Sequence, residues 1–265
     1  MGKTGLVRDT LKAIVDFKPA RRWGAGERRV KRQSKAQRNR MISVIIPAHN
    51  EEEYIGATLD AVNRQDYRNF EIIVVANGCS DRTSSVAMNK CHRLVVLSSR
   101  CLGTARNLGA KLARGELLVF LDADTTLDNK ALGTIAREFS NKDAAATVKG
   151  CPDGDRLSFR MIYWLKNFVH RAHLHSGSSG VIVCWKKHFV AIRGFDEGLQ
   201  VRENSELMKR LKRFGRYHYL GRASAVTSMR RYQGGGTMRT LWSWIKLWAE
   251  SLFRDLHGKE YDPIR

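Results

Sequence analysis

The stretch Glu116-Leu117-Leu118-Val119-Phe120-Leu121-Asp122-Ala123-Asp124 decides the fold of this chain. Its almost continuously apolar first part predicts a strand that is buried on both faces, which is typical of a parallel strand inside a sheet. The two carboxylates that follow stand where such a strand ends. The stretch therefore predicts a polar turn at the edge of a buried sheet.

The sequence before this stretch repeats a pattern of strand, polar turn and helix. Strands are predicted at residues 42–47, 70–75 and 94–97, and helices through Ile55, Leu59 and Val62, over 83–89 and over 105–113. This alternation predicts an α/β fold with an open, doubly wound, Rossmann-like sheet that is mixed but mostly parallel and flanked by helices. In such sheets ligands bind beyond the carboxyl ends of the strands, where the polar turns lie.

Composition limits the class of protein. The chain has 265 residues, 43% hydrophobic and 28% charged, which excludes a wholly disordered chain and a disulfide-built miniprotein. No apolar run approaches the ~18 residues of a membrane span. The first residues lack the apolar core of a secretory signal, so we expect a cytoplasmic chain. The five cysteines are scattered singly and predict reduced thiols.

The net charge of +21 is concentrated at the start of the chain. Residues 1–40 hold 13 basic and 3 acidic residues. Apolar residues recur at helical spacing from Leu6 to Phe17, which predicts a basic amphipathic helix, and residues 21–40 indicate a flexible arm. Such a segment can lie on anionic lipid, which predicts a peripheral protein at the cytoplasmic face of the membrane; a solvated tail is the alternative.

The polar turns contain neither the GxxxxGK phosphate loop nor the GxGxxG dinucleotide fingerprint. Asp122 and Asp124 are two residues apart and can present carboxylate oxygens to one hard cation, Mg²⁺ or Mn²⁺. Acidic pairs are also common in turns and helix caps, so this pair alone leaves both interpretations open. Its place at the ligand edge of the sheet favours the metal.

Several ordered motifs resemble those of family 2 glycosyltransferases of the GT-A fold. They are Ser43-Val44-Ile45-Ile46-Pro47-Ala48-His49-Asn50-Glu51-Glu52, Ile73-Val74-Val75-Ala76-Asn77-Gly78-Cys79-Ser80-Asp81-Arg82-Thr83, Ala105-Arg106-Asn107-Leu108-Gly109, Phe120-Leu121-Asp122-Ala123-Asp124, Gly194-Phe195-Asp196-Glu197 and Glu203-Asn204-Ser205-Glu206-Leu207. The likeness is dense over residues 41–125 and does not cover residues 1–40. The ending, from Thr227 onward, is similar to the tails of some small members.

The resemblance implies a hexosyltransferase that uses a UDP- or GDP-linked sugar and a divalent cation. The base and ribose pocket would be lined by Pro47, Ala48, Asn50 and Glu51, with Asn77 at the edge of the base. Arg106 would lie near the diphosphate or brace the Asp122-Ala123-Asp124 turn. Asp122 would approach the ribose or a metal-bound water, and Asp124 would ligate the metal.

The resemblance also implies a general base, and here the chain departs from the family. The expected Asp of the Glu-Asp-x-x-Leu motif is Asn204, and an amide cannot accept that proton. Glu203 or Glu206 could serve instead, the enzyme could be inactive, or the acceptor could already be an anion such as a phosphate. Asn204 could also simply cap the following helix. Arg230 or Arg231 could clamp a diphosphate, or the two could form a surface pair.

Two further amphipathic helices are predicted, one through Leu157 and Phe168 and one through Leu241 and Leu256. Each could pack on the domain or lie at a membrane interface.

The predicted organisation is a basic segment (1–40), a catalytic domain (41–232) with a nucleotide-sugar half (41–125) and an acceptor half (126–232), and a C-terminal amphipathic helix and tail (233–265). The predicted function is metal-dependent, inverting transfer to a membrane-associated polyprenyl phosphate or glycan. The alternatives are a catalytically impaired scaffold and a basic protein that binds nucleic acid or membranes; nothing indicates a specific nucleic acid partner.

Overall fold

A computed structural model describes residues 11–16, 40–174, 176–199 and 201–230 of the chain. Strands and helices alternate along these residues. In chain order they are β1 (Leu11–Asp16), β2 (Ile42–Ala48), α1 (Ile55–Asn63), β3 (Phe70–Asn77), α2 (Thr83–Met88), β4 (Arg93–Leu97), α3 (Leu102–Leu112), β5 (Leu117–Leu121), β6 (Thr125–Leu127), α4 (Ala131–Glu138), β7 (Asp143–Pro152), α5 (Leu157–Arg171), β8 (Val181–Trp185), α6 (Lys186–Ala191), α7 (Glu203–Leu211), a 3₁₀ turn (Lys212–Phe214) and β9 (Arg216–Thr227).

These strands form one sheet in the order β1-β4-β3-β2-β5-β8-β7-β9-β6. The central strands β4, β3, β2 and β5 are parallel, whereas β8 runs antiparallel to both β5 and β7. β9 pairs in parallel with β7 and antiparallel with β6. The expectation of a mixed, mostly parallel sheet with helices on its faces is confirmed.

Strand β2 shows why the sheet is buried on both sides. Val44 and Ile46 point to one face and pack with Leu59 of α1, whereas Ile45 points to the other face and packs near Ala105 of α3. Successive side chains of a strand alternate between the two faces, so a strand covered by helices on both sides must be apolar throughout. The apolar runs in the sequence therefore mark the strands that hold the polar turns in place.

The N-terminal segment corrects one prediction. Leu11–Asp16 forms a strand that pairs antiparallel with β4, so the expected helix was wrong for these six residues. The open edge of β4 offers unpaired backbone groups, and pairing with it outweighs the helical spacing of the apolar residues. An ion pair between Arg93 and Asp16 also joins the two strands. Part of the basic segment thus belongs to the sheet, while the rest of that segment lies outside the described residues.

The predicted elements of the second half are present as α5 and β8. Helix α7 begins at Glu203, one residue after Arg202, which adopts a left-handed backbone conformation with φ of 61°. Asn204 is therefore the second residue of the helix, and the expectation that it caps the helix was wrong. The predicted C-terminal helix lies outside the described residues.

Two expectations about the whole chain can be compared with the described part. In the ranges above, no helix is both long enough and apolar enough to cross a bilayer. All five cysteines are free, in agreement with the predicted thiols.

Candidate active site

Two polar turns meet at the carboxyl ends of the neighbouring parallel strands β2 and β3. Asn50, which has a positive φ of 54°, accepts a hydrogen bond from the backbone N–H of Ser80 (2.9 Å). The backbone N–H of Glu51 donates to Thr83 Oγ1 (2.7 Å). The residues predicted to form a nucleotide pocket are thus held beside each other by contacts between the turns.

Strand β2 carries the first two predicted pocket residues at its end. Pro47 and Ala48 are buried and stand opposite Val75 and Ala76 of β3. Asn77 ends β3, is 2% exposed, and accepts the backbone N–H of Cys101 (2.9 Å) with its side-chain oxygen. This contact orients the amide, so that Asn77 presents an N–H donor rather than an acceptor at the end of the strand.

The Asp122-Ala123-Asp124 turn is held through its backbone. Asp122 donates its N–H to the carbonyl of Gly180 (3.0 Å), and Thr58 donates to the carbonyl of Ala123 (2.7 Å). The N–H of Ser228 donates to the carbonyl of Asp124 (3.1 Å). Three separate parts of the chain therefore fix the turn, which leaves its carboxylates at a defined position.

Arg106 joins this turn to the start of α7. Its guanidinium donates to Asp122 Oδ1 (3.1 Å), Glu203 Oε1 (3.1 Å) and Asn204 Oδ1 (2.9 Å). It lies 4.9 Å from the ring centre of Phe195, and its side chain is 3% exposed. We call these five residues the Arg106 cluster. A buried cation that touches two carboxylates braces the turn against the start of α7.

Arg230 makes a second connection at the other aspartate of the turn. Its guanidinium pairs with Glu51, lies 3.2 Å from Asp124 Oδ2 and stands 4.4 Å over the ring of Tyr54. Burial lowers the pKa of Arg230, but hydrogen bonding and the charges of Glu51 and Asp124 outweigh burial and raise it above its usual value. We call these four residues the Arg230 cluster. Its arginine is 36% exposed, far more than Arg106.

The candidate general bases are all engaged. Glu203 is 6% exposed and paired with Arg106, and Glu206 is held at both carboxylate oxygens by Arg210. Asn204 accepts from Arg106 and donates to Ser178 Oγ (3.1 Å). Since a guanidinium only donates, the oxygen of the Asn204 amide must face Arg106. Both glutamates of this motif are therefore paired with an arginine, and neither could take a proton from an acceptor without leaving that arginine.

The residues of the turn fit the expected cation. Asp122 and Asp124 supply the carboxylate oxygens that Mg²⁺ and Mn²⁺ prefer. Among the described residues, no three His, Cys, Asp or Glu side chains gather into a metal cage. Mg²⁺ is commonly bound by one or two carboxylates together with substrate phosphates, so this donor set is of the appropriate kind.

Sequence reasoning did not assign roles to Tyr54 or Phe195. The two aromatic rings cover guanidinium groups, a contact that follows from tertiary packing. Phe195 lies in a quoted motif, which was the signal for its importance. Arg231, predicted as part of a phosphate clamp, lies outside the described residues.

Comparison with known proteins identifies the relatives of this arrangement. The sequence profile described as "Glycosyl transferase family 2" matches residues 43–231. The amylovoran biosynthesis glycosyltransferase AmsB of Erwinia amylovora is 39% identical over 90 residues, which are 31% of this chain and 30% of AmsB. Glycosyltransferase GlyG of Streptococcus pneumoniae is 28% identical over 114 residues, 41% of this chain and 38% of GlyG. The match thus spans well under half the length of these relatives.

Solved structures share the fold. The mannosyltransferase PcManGT of Pyrobaculum calidifontis, in complex with GDP-Man and Mn²⁺, has a TM-score of 0.65 at 17% identity and covers 82% of this chain and 65% of its own. TarS of S. aureus in complex with UDP has a TM-score of 0.55 at 21% identity, covering 72% and 62%. At these identities the likeness shows a common architecture.

Proposed function

The chain belongs to the family 2 glycosyltransferases, and from that premise we propose that it transfers a hexosyl group from a UDP- or GDP-linked sugar to an anionic, membrane-associated acceptor. We further propose that the transfer is metal-dependent and inverts the configuration of the sugar. The observation that carries this proposal is the Asp122-Ala123-Asp124 turn, with each aspartate contacting a different arginine.

The donor site of the proposal lies along the turns after β2, β3 and β5. Glu51 Oε2 is buried and has no hydrogen-bond partner among the described residues, so a ribose hydroxyl could donate to it. Asn77 would donate its N–H to a carbonyl of the base. Arg230 would supply a guanidinium fork for the diphosphate once it exchanges Glu51 or Asp124 for phosphate oxygens.

A divalent cation would be held by Asp122 and Asp124. When bound, such a cation neutralises a leaving diphosphate and acts as a Lewis acid. The protein's own contribution is to fix the two carboxylates, Asp122 through Arg106 and the turn through its backbone bonds. Preorganised charges of this kind need little rearrangement during reaction.

The proposed acceptor is a phosphate-bearing lipid. A phosphate oxygen is already ionised at neutral pH, so its attack on the sugar needs no general base. This chemistry agrees with Asn204 at the base position and with the arginine pairs of Glu203 and Glu206. A neutral glycan hydroxyl would instead need one of these glutamates to leave its arginine.

The donor proposal is tested by thermal unfolding with a panel of UDP- and GDP-linked sugars, each with and without Mn²⁺. A ligand that binds only the folded state raises its melting temperature. We expect one nucleotide sugar to stabilise the wild type in a Mn²⁺-dependent way and to leave Asp124→Ala unchanged. If no nucleotide sugar stabilises the wild type, the donor proposal is wrong and the impaired-scaffold alternative is favoured.

The acceptor proposal is tested with a matched pair, a polyprenyl phosphate and the corresponding polyprenol. We expect sugar transfer to the phosphate and none to the alcohol. Transfer to the alcohol at a comparable rate would contradict the anionic acceptor while leaving the donor site intact.

A further inference from the structure

Helix α5 carries an apolar face that the described part of the fold does not cover. Five large side chains on this face are at least half exposed. They are Leu157 (72%), Met161 (62%), Trp164 (69%), Leu165 (50%) and Phe168 (52%). The rings of Trp164 and Phe168 stack with their centres 5.9 Å apart. Monomeric proteins rarely expose so many neighbouring large apolar groups, and such patches commonly mark protein or membrane contacts.

The opposite face of the same helix is packed against the domain. Phe159 and Tyr163 are buried and form a small core with Met229. Asn167 donates to the carbonyl of Gly150 (2.8 Å) and accepts its N–H (2.9 Å), which fastens the helix to β7. The helix is thus fixed in place, and the exposed face is a stable surface of the molecule.

Positive charge flanks the apolar face. Arg160 and Arg171 are exposed on helix α5, which contains no acidic residue. A groove of about 1220 Å³ runs beside it, and Lys149 lines this groove together with Arg160 and Arg171. Apolar residues flanked by cations match the two layers of an anionic membrane surface, with acyl chains below and phosphate headgroups above.

We propose that the exposed face of α5 docks on an anionic lipid bilayer, with Trp164 and Phe168 entering the interface and the basic residues contacting headgroups. A second copy of the chain fits this face less well. In a symmetric dimer the same patch faces itself, so Arg160 and Arg171 of the two copies would be brought together. Like charges repel, whereas the lipid headgroups attract them.

Helix α5, which carries the docking surface, begins at the same edge of the sheet as the candidate active site. Strand β7 runs parallel to β5, so Pro152 and Leu121 end at the same edge. Just beyond β7, Asp153 accepts the backbone N–H of Met229 (2.8 Å), next to the residue that binds the Asp124 carbonyl. Helix α5 starts four residues later. A docked molecule would therefore hold its substrate edge near the headgroups; this step alone rests on the proposed function.

The test is sedimentation of the full chain with vesicles of phosphatidylglycerol and, separately, of phosphatidylcholine. We expect the wild type to sediment with the anionic vesicles. The double variant Trp164→Glu, Phe168→Glu should bind them at least roughly tenfold more weakly, because each change places an anion in the interface. Val190→Glu, which alters a 63% exposed apolar residue on α6, is the matched control and should bind like the wild type.

Two further measurements keep the outcomes distinct. The melting temperature of the double variant checks folding, and its shift with nucleotide sugar checks the donor site separately from docking. If the folded double variant sediments like the wild type, membrane binding belongs to other segments and the proposal is overturned. A wild-type dimer that the double variant loses would also overturn it, in favour of a second copy on this face.

Discussion

The Arg106 and Arg230 clusters hold the two carboxylates of one turn in opposite ways. Arg106 is 3% exposed and contacts Asp122 together with two residues of α7, whereas Arg230 is 36% exposed and contacts Asp124 and Glu51 at the end of the described chain. A buried charge that loses its partner is costly, while a half-exposed charge can exchange its partner for water or ligand. Arg106 is therefore a fixed, buried partner of Asp122, whereas Arg230 can exchange Asp124 for water or a ligand.

The largest expected effect is at Arg106. Replacing Arg106 by Leu leaves the buried Glu203 without its counter-charge, which should lower the free energy of unfolding by about 3–5 kcal/mol. Denaturant unfolding measures this change. The matched control is Arg82→Leu, since Arg82 is 83% exposed in its pair with Glu52 and should cost less than about 1 kcal/mol. Equal losses in the two variants would contradict the contrast between fixed and exchangeable pairs.

A smaller effect is expected at Arg230. Arg230→Gln should reduce sugar transfer by about 10- to 100-fold, because the proposed guanidinium fork for the diphosphate is lost. The melting temperature should change by less than about 3 °C, since the Arg230 side chain is 36% exposed. Arg230→Lys keeps the positive charge without the guanidinium fork, so its rate of transfer should lie between those of the wild type and Arg230→Gln. A melting temperature that drops as far as in Arg106→Leu would make Arg230 a structural residue instead.

A third arginine pair, far from the candidate site, provides a reference for the Arg106 and Arg230 clusters. Asp143 is fully buried and contacts the exposed Arg216 (2.6 Å). Burial raises the pKa of Asp143, but hydrogen bonds from Arg216 and Ser140 and the charge of His218 outweigh burial and lower it. The folded state therefore binds this proton more weakly than the unfolded state. The stabilisation that the ionised Asp143 contributes is fully present above its pKa in the unfolded state. It is lost as the pH falls through its pKa in the folded state.

Asp143→Asn should therefore make the free energy of unfolding fall less steeply as the pH is lowered. We expect the variant to be less stable than the wild type by about 1–3 kcal/mol at neutral pH, with the difference shrinking below about pH 4. Unfolding at a series of pH values measures this. A difference that is independent of pH would show that Asp143 acts through packing rather than charge.

The smallest effect is expected at Asn204. Asn204→Asp restores the carboxylate of the family motif beside Arg106, yet the proposed anionic acceptor gains nothing from a base. Transfer should change by less than about threefold, with no new acid limb in its pH profile. A rise of tenfold or more would indicate a neutral hydroxyl acceptor. Asn204→Ala removes the contacts to Arg106 and Ser178, and its rate of transfer shows how much these two hydrogen bonds contribute to activity.

The sequence predicted the parallel half well, because strands buried on both faces must be apolar along their whole length. The bounds of β2, β3 and β5 differ by at most two residues at either end from the predicted ones. The Asp122-Ala123-Asp124 turn was also found, since it follows the most apolar of these strands. The local sequence pattern was therefore sufficient to predict a strand wherever burial on both faces required apolar residues.

The contacts between distant residues could not be predicted in the same way. Glu51 and Arg230 are 179 positions apart, and no local pattern relates them. The same is true of Tyr54 over Arg230, since an aromatic residue in a turn gives no indication of the cation above it. The predicted helix at residues 11–16 failed for a related reason, because pairing with a distant strand overrode local spacing.

The pairing of β1 with β4 has a consequence for the solubility of the protein. Without residues 1–40, β4 would become the outermost strand, and its apolar residues Leu94 to Leu97 would offer unpaired N–H and C=O groups along one side. Exposed apolar strand edges of this kind pair readily with other chains and promote aggregation. The strand β1 covers this apolar edge and becomes the outer strand itself, but it is only six residues long and carries Lys12 and Asp16. Short, charged outer strands resist such pairing, so β1 should protect the domain against self-association, separately from any binding by the basic residues around it.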